Sequence, residues 1–99
     1  MERLSLLPKT VTSHTTKRFR ETFRKLPADV QEKAREAYRL WQQDPWNPRL
    51  SFKRVHQAKP IYSVRIGLDW RALGVRDGDN LVWFWIGSHA DYDNLVSRL

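Results

Sequence analysis

Cysteine is absent from the 99-residue chain, which excludes a disulfide framework and any thiolate metal site. The sequence has no long uncharged apolar run, and Pro8 interrupts the apolar patch near its N-terminus, so neither a signal peptide nor a membrane span is indicated. It also has no internal repeat and no Gly/Ser linker. We therefore expect one domain over residues 1–99, located in the cytoplasm and without membrane contact.

The motifs of common cofactor-dependent and metal-dependent enzymes are missing as well. The sequence contains no HExxH, no GxGxxG, no GxxxxGKS/T and no GxSxG pattern. Its three histidines, His14, His56 and His89, lack the close helical spacing of a shared metal site. We therefore expect no metal site and no cofactor.

What the chain has in excess is positive charge. It contains 18 Lys and Arg residues against 11 Asp and Glu residues, a net charge of +7. Residues 77–99 hold four acids and one base, so 17 bases and 7 acids precede position 77, a net charge of +10. Solvation of helix faces accounts for about half of this excess. The remainder predicts binding to a polyanion, above all a nucleic acid, through counterion release.

Apolar residues at helical spacing predict three helices. Residues 15–26 and 27–43 each carry an apolar stripe, and Pro27 suits the first turn of the second helix, so the two form a hairpin. Ser88 is a candidate N-cap for a short C-terminal helix.

The segments between these helices have the pattern of strands. Strands are predicted at 61–66, 70–76 and 81–86, and an opening strand is an option at 10–13. The fold class is therefore α+β, with an N-terminal two-helix hairpin packed on a twisted antiparallel sheet of three to four strands and a short C-terminal helix.

Two arginines flank the first predicted β-turn. If residues 67–69 form a three-residue loop, Arg65 lies opposite Arg71 on one side of the sheet. Like charges that are directly opposed destabilise a sheet, unless an anion such as a phosphate lies between them. The alternatives are an ion pair with a nearby acid or a different register.

Further candidates lie on either side of that hairpin. Lys53, Arg54 and His56 form a basic run that the fold can bring to the same face, although such a run is more often a solvated loop. His89 lies where the last strand turns into a helix, and imidazole can transfer protons near neutral pH. Tyr92, one helical turn later, can stack on a base. A capping histidine and a core tyrosine are the alternatives.

The order of these motifs resembles the RelE/ParE toxin superfamily over nearly the whole chain. The resemblance rests on residues 23–27, 62–67 and 70–74, and the closing segment 85–93 is most similar to the branch that includes YafQ-like endoribonucleases. It implies a helical hairpin on a twisted sheet, cleavage of mRNA in the ribosomal A site, and a cognate acidic antitoxin. Expected partners are therefore that antitoxin, mRNA and the ribosome.

The residues and the resemblance together give a set of expected site residues. Catalytic roles are expected for His89, Arg71, Arg65, Lys53 and Tyr92, and RNA-binding roles for Arg54, His56 and Lys59. Two departures from the family pattern stand out. The turn 67–69 is one residue longer than the common form, and the last helix lacks an arginine-rich start, so His89 must do what an arginine does there.

The expected function is that of a toxin that cleaves mRNA through attack by the ribose 2′-hydroxyl and thereby inhibits translation. A ParE-like gyrase poison is the main alternative, because it shares the fold and the basic charge and needs no hydrolytic residues. An inert nucleic-acid-binding relic is a third possibility.

Overall fold

The computed structural model describes residues 12–99. Its helices and strands are β1 Thr12–Thr15, α1 Lys17–Arg24, α2 Ala28–Gln43, β2 Lys53–Arg54, β3 Ile61–Ile66, β4 Trp70–Asp77, β5 Asn80–Ser88 and α3 His89–Val96, with a 3₁₀ turn at Pro48–Leu50. The α+β fold class is confirmed. Of the optional opening strand at 10–13, Thr10 and Val11 lie outside the described residues, and Ser13 lies in β1. No helix within residues 12–99 is long and apolar enough to cross a membrane.

The five strands form one sheet in the order β1-β5-β4-β3-β2. Strands β2 to β5 pair antiparallel, as predicted, whereas β1 pairs parallel with β5 at the edge of the sheet. The sheet is therefore one strand wider than the sequence predicts, and it is mixed at that edge. A parallel pair needs a long crossover connection, and the helical hairpin is the first part of the connection from β1 to β5.

One face of the sheet packs against the helical hairpin. Trp41 of α2 lies at the centre of this core, with its ring centroid 5.4 Å from that of Trp83 and 5.8 Å from that of Phe52. The buried residues from the sheet are Val64, Ile66, Ala72, Leu81, Trp83 and Ile86. We call this side the hairpin face.

The opposite side of the sheet carries α3, and we call it the α3 face. Its buried centre is Ile61, Leu73 and Tyr92. A β-bulge in β5 supplies part of this face: Leu73 pairs with Trp85 and Gly74 with Trp83, so Phe84 has no partner in the ladder. Residues two apart normally share a face. The extra residue instead places Trp83 on the hairpin face and Trp85 on the α3 face.

Candidate anion-binding and proton-transfer site

The arginine pair predicted from the sequence is present on the α3 face. Arg65 pairs with Arg71 and Ile66 pairs with Trp70, as expected for a three-residue turn. Gly67 begins that turn with a φ of 62°, a left-handed conformation that suits glycine. The turn therefore fixes the register that brings the two guanidinium groups together.

Neither arginine forms an ion pair with an acidic side chain among residues 12–99. Arg71 Nη1 donates to the backbone oxygens of Trp70 at 2.8 Å and Leu68 at 3.4 Å. The Nε of Arg65 is buried and finds no hydrogen-bond partner in the described part of the chain. Partial burial, together with the nearby charge of Arg65, lowers the pKa of Arg71 from its usual value. The charges of Asp93 and Asp69 act in the opposite direction on Arg71 without pairing with it. The pair is thus a cationic site that an anion would stabilise.

The backbone holds His89 beside this pair. Ser88 caps α3, because its Oγ accepts from the backbone N of Asp91 at 3.1 Å. The backbone N of His89 donates to the carbonyl of Asp69 at 2.7 Å. The first residue of α3 is thereby tied to the turn that precedes Arg71.

The side chains of His89 and Arg71 both approach Tyr92. The His89 ring centroid is 6.1 Å from that of Tyr92, and Arg71 Cζ is 5.9 Å from the same ring. His89 is 47% exposed, and its Nδ1 lies 3.3 Å from Oδ2 of Asp93, one helical turn later. The imidazole therefore has one nitrogen engaged by a carboxylate and remains accessible beside the arginine pair.

Tyr92 itself is part of the core. It is only 8% exposed, and its hydroxyl donates to Oγ of buried Ser63 at 3.1 Å. We expected this ring to stack on a base. Because the ring is buried, it instead provides a surface against which Arg71 and His89 pack.

Lys53 shares the α3 face with the arginine pair, whereas Arg54 does not. Lys53 pairs with Ser63, which lies two residues from Arg65 on the same face of β3. Arg54 pairs with Tyr62 on the opposite face, and its guanidinium donates to the backbone oxygens of His56 and Gln57. Lys53 therefore lies on the same face as the site, whereas Arg54 stabilises the loop that follows it in the chain.

His56 and Lys59 lie at the other end of β3. Nδ1 of His56 accepts from the backbone N of Ala58 and of Lys59, so Nε2 carries the proton that it donates to the carbonyl of Leu99 at 3.0 Å. The loop ends at Ile61, and four residues at the rise of a strand separate Ile61 from Arg65 by about 13 Å. The structure therefore does not bring His56 or Lys59 to the arginine pair.

A model of the ParE-like toxin domain family matches residues 28–94, two thirds of the chain. The chain belongs to the ParE-like toxin family. This places it in the RelE/ParE superfamily, as the sequence motifs indicate. No curated protein matches it in sequence.

Solved structures of RelE/ParE toxins share the fold of this ParE-like toxin at low sequence identity. A RelB–RelE antitoxin–toxin complex from Methanococcus jannaschii matches with a TM-score of 0.65 and 15% identity, covering 82% of this chain and 95% of that one. YafQ from E. coli matches with 0.65 and 12%, covering 81% and 94%. The RelBE2 toxin–antitoxin complex from Mycobacterium tuberculosis matches with 0.63 and 22%, covering 80% and 98%.

Sequence reasoning missed two residues at the site of this ParE-like toxin. Asp93 was detectable, because it follows His89 by four residues and so shares its helix face. Ser63 was not detectable, because nothing in a strand pattern shows that a distant tyrosine will bond to it.

Within residues 12–99 no three His, Asp or Glu side chains gather as metal ligands.

Replacing Tyr92 by Phe tests whether this residue has a structural role. The change keeps the ring but leaves the buried Ser63 hydroxyl without its partner, so we expect a loss of about 1 kcal/mol in the free energy of unfolding. Urea denaturation measures this loss. Tyr38→Phe is the matched control, since Tyr38 is 39% exposed and its hydroxyl bonds to Ser13 at the surface. Equal losses in both variants would contradict the role of the buried bond.

The hairpin face of the ParE-like toxin contains a second feature, a cleft of about 870 Å³ between the helices and the sheet. At its base lie residues of the buried core, such as Trp41 and Trp83, and its partly exposed apolar lining is Phe19, Phe23, Ala34 and Ala37. Four exposed arginines also line it: Arg20 and Arg24 of α1, and Arg35 and Arg39 of α2. On each helix the two are four residues apart and therefore share a face. The cleft thus combines an apolar lining with four arginines, of which Arg35 and Arg39 share the carboxylate of Glu32 at 3.6 Å.

Proposed function

We propose that this protein is a toxin that cleaves mRNA on the ribosome, and that the α3 face is its active site. The observation that carries the proposal is the direct opposition of Arg65 and Arg71 beside His89, with Arg71 and His89 both lying against the Tyr92 ring. Two opposed cations destabilise a sheet unless they bind something. A backbone phosphate of RNA supplies the missing negative charge.

RNA cleavage suits a site of this kind because the substrate brings its own nucleophile. The ribose 2′-hydroxyl attacks the adjacent phosphorus, the bond to the leaving 5′-oxygen breaks, and a 2′,3′-cyclic phosphate and a 5′-hydroxyl result. Negative charge grows on the phosphate oxygens during the attack. Arg71 and Arg65 stabilise that charge, and Lys53 adds positive potential from the neighbouring strand.

His89 transfers the proton in this scheme. Its Nδ1 faces Asp93, and Nε2 is left to exchange a proton with the 2′-hydroxyl or the 5′-oxygen. The carboxylate holds the ring by the nitrogen that does not react. The ribosome holds the mRNA in position, so that few protein groups are needed.

A gyrase poison with the same fold is the rival function, and a protein without activity is the third. One experiment separates them: the purified protein is incubated with mRNA, with and without programmed ribosomes, and in parallel with gyrase and a supercoiling substrate. Codon-phased cuts that require ribosomes support the proposal. Inhibition of supercoiling with intact mRNA supports the gyrase poison. No effect in either assay supports a protein without activity.

We also propose that the cleft on the hairpin face binds the antitoxin. Two of the three solved structures described above are antitoxin–toxin complexes, and the cleft has the chemistry to receive an acidic amphipathic helix. The apolar side of such a helix would cover the partly exposed apolar lining of the cleft on α1 and α2, and its carboxylates would meet the arginines of the same helices.

Reversing two of these charges tests the docking site. In the double variant Arg24→Glu/Arg39→Glu, repulsion replaces attraction on both helices, and we expect at least roughly tenfold weaker binding of the cognate acidic antitoxin. Calorimetric titration at two salt concentrations measures it, and the difference should shrink at high salt. Arg76→Glu, on the hairpin face of β4 but outside the cleft lining, is the matched control. An equal loss in that control would refute the site.

A further inference from the structure

Trp85 and Gly87 of β5 form a paired feature on the α3 face. A Cβ atom added to Gly87 would lie 2.6 Å from Cζ2 and 2.8 Å from Cη2 of the Trp85 indole. Real Cβ atoms do not approach ring atoms this closely, so a side chain at position 87 would have to displace the indole. The ring therefore occupies the space directly above a glycine that has no side chain of its own.

The register of the sheet places this ring next to the arginine pair. Gly87 is the residue of β5 that lies directly opposite Arg71, and Arg71 in turn lies opposite Arg65. Trp85 lies opposite Leu73 in the neighbouring row of the same face. Its indole extends from that row into the row of the arginines. Across strands β3, β4 and β5, the side chains in this row are therefore Arg65, Arg71 and, above Gly87, the indole of Trp85.

Trp85 differs from Tyr92, the aromatic that the sequence suggests for base stacking. Tyr92 is buried, and its hydroxyl is bonded to Ser63. Trp85 lies on the face that carries the arginine pair and, unlike Tyr92, is not fully buried. A bound nucleotide has a phosphate and, one sugar away, a flat base. Arg71 and the indole have the matching chemistry in adjacent positions.

We propose that the Trp85 indole is a stacking surface for the nucleobase next to the phosphate that Arg71 binds. This inference rests on the proposed RNA site and adds to it a residue that contacts the substrate base. Stacking on an aromatic ring tolerates any base, so Trp85 contributes affinity and orientation. Gly87 has a positioning role, because its missing side chain allows the ring to lie beside Arg71.

The test combines a protein change with a base deletion. A fluorescein-labelled RNA tetranucleotide, 2′-O-methylated so that it cannot be cleaved, is prepared intact and with an abasic residue at each position in turn. Fluorescence anisotropy gives the Kd for the wild-type protein, Trp85→Leu, Gly87→Ala and Arg71→Gln. Trp70→Leu is the matched control, since Trp70 is also half-buried but packs on the hairpin face. Thermal unfolding checks that each variant is folded.

Removal of the stacked base should weaken binding to the wild-type protein about tenfold at one position of the RNA. Trp85→Leu should bind intact RNA about tenfold more weakly and lose less than twofold more with the abasic residue. Gly87→Ala should behave like Trp85→Leu, and Trp70→Leu like the wild type.

Two failures are distinguishable. In the first, Arg71→Gln weakens RNA binding, but the abasic residues have no effect on binding to the wild type or have the same effect on Trp85→Leu as on the wild type. The stacking role is then wrong, and the phosphate site stands. If the wild type does not bind RNA, or Arg71→Gln binds as well as the wild type, the phosphate site fails and the stacking role fails with it. The abasic series on the wild type decides the first question even if Trp85→Leu does not fold.

Discussion

Replacing His89 by alanine is expected to slow ribosome-dependent mRNA cleavage by about 100-fold or more, the usual contribution of a positioned acid or base. The side chain is 47% exposed at the start of α3, so its removal leaves no cavity and the fold should be unaffected. Binding to the ribosome should also be nearly unchanged, because the role proposed for His89 is proton transfer. Single-turnover cleavage with saturating protein measures the chemical step.

The matched control for this change is His14→Ala. His14 is an exposed histidine on β1 that pairs with Val82, so the greater part of β5 lies between it and His89. Its removal should leave cleavage unchanged. A cleavage rate for His89→Ala within a factor of about two of the wild-type rate would remove His89 from the mechanism.

The second large effect is expected for Arg71→Gln. This change keeps a polar side chain but removes the charge that we propose binds the phosphate, and we expect a loss of about 100- to 1,000-fold in the single-turnover rate, as for the loss of one oxyanion donor. Stability should not fall in parallel. The substitution also removes a partly buried cation that stands opposite Arg65, and this like-charge contact disfavours the folded state.

Arg76→Gln supplies the comparison on the same strand. Arg76 lies near the far end of β4, and its Nε donates to the carbonyl of Gly78. The substitution lowers the net charge as Arg71→Gln does, so an equal loss of cleavage in both variants would show that only overall charge matters. A loss confined to Arg71→Gln, with unchanged or higher stability, would identify a group that the fold retains for its chemistry.

Local rules were sufficient to predict much of the site from the sequence. The three-residue turn after Ile66 fixes which residues of β3 and β4 are opposed, so the Arg65–Arg71 pair followed from counting. Ser88 was identified as a helix cap from its position after an apolar strand. Both features depend on residues that are neighbours in sequence.

Features that depend on distant parts of the chain were not predictable. The parallel pairing of β1 with β5 joins segments about 68 residues apart, and no local pattern encodes it. The bulge at Phe84 is hidden in a strand that is apolar at every position, so alternation could not show that Trp83 and Trp85 face opposite ways. For the same reason the burial of Tyr92 against Ser63 became visible only in the folded chain.

The central claim is that the arginine pair and His89 act together on a phosphate of RNA whose own 2′-hydroxyl is the nucleophile. The most direct measurement uses programmed ribosomes whose A-site codon contains either ribose or a single 2′-deoxyribose at the cleavage position. We predict cleavage of the first mRNA, with a 2′,3′-cyclic phosphate on the upstream fragment, and none of the second. Equal cleavage of both, or cleavage of neither, would contradict the account.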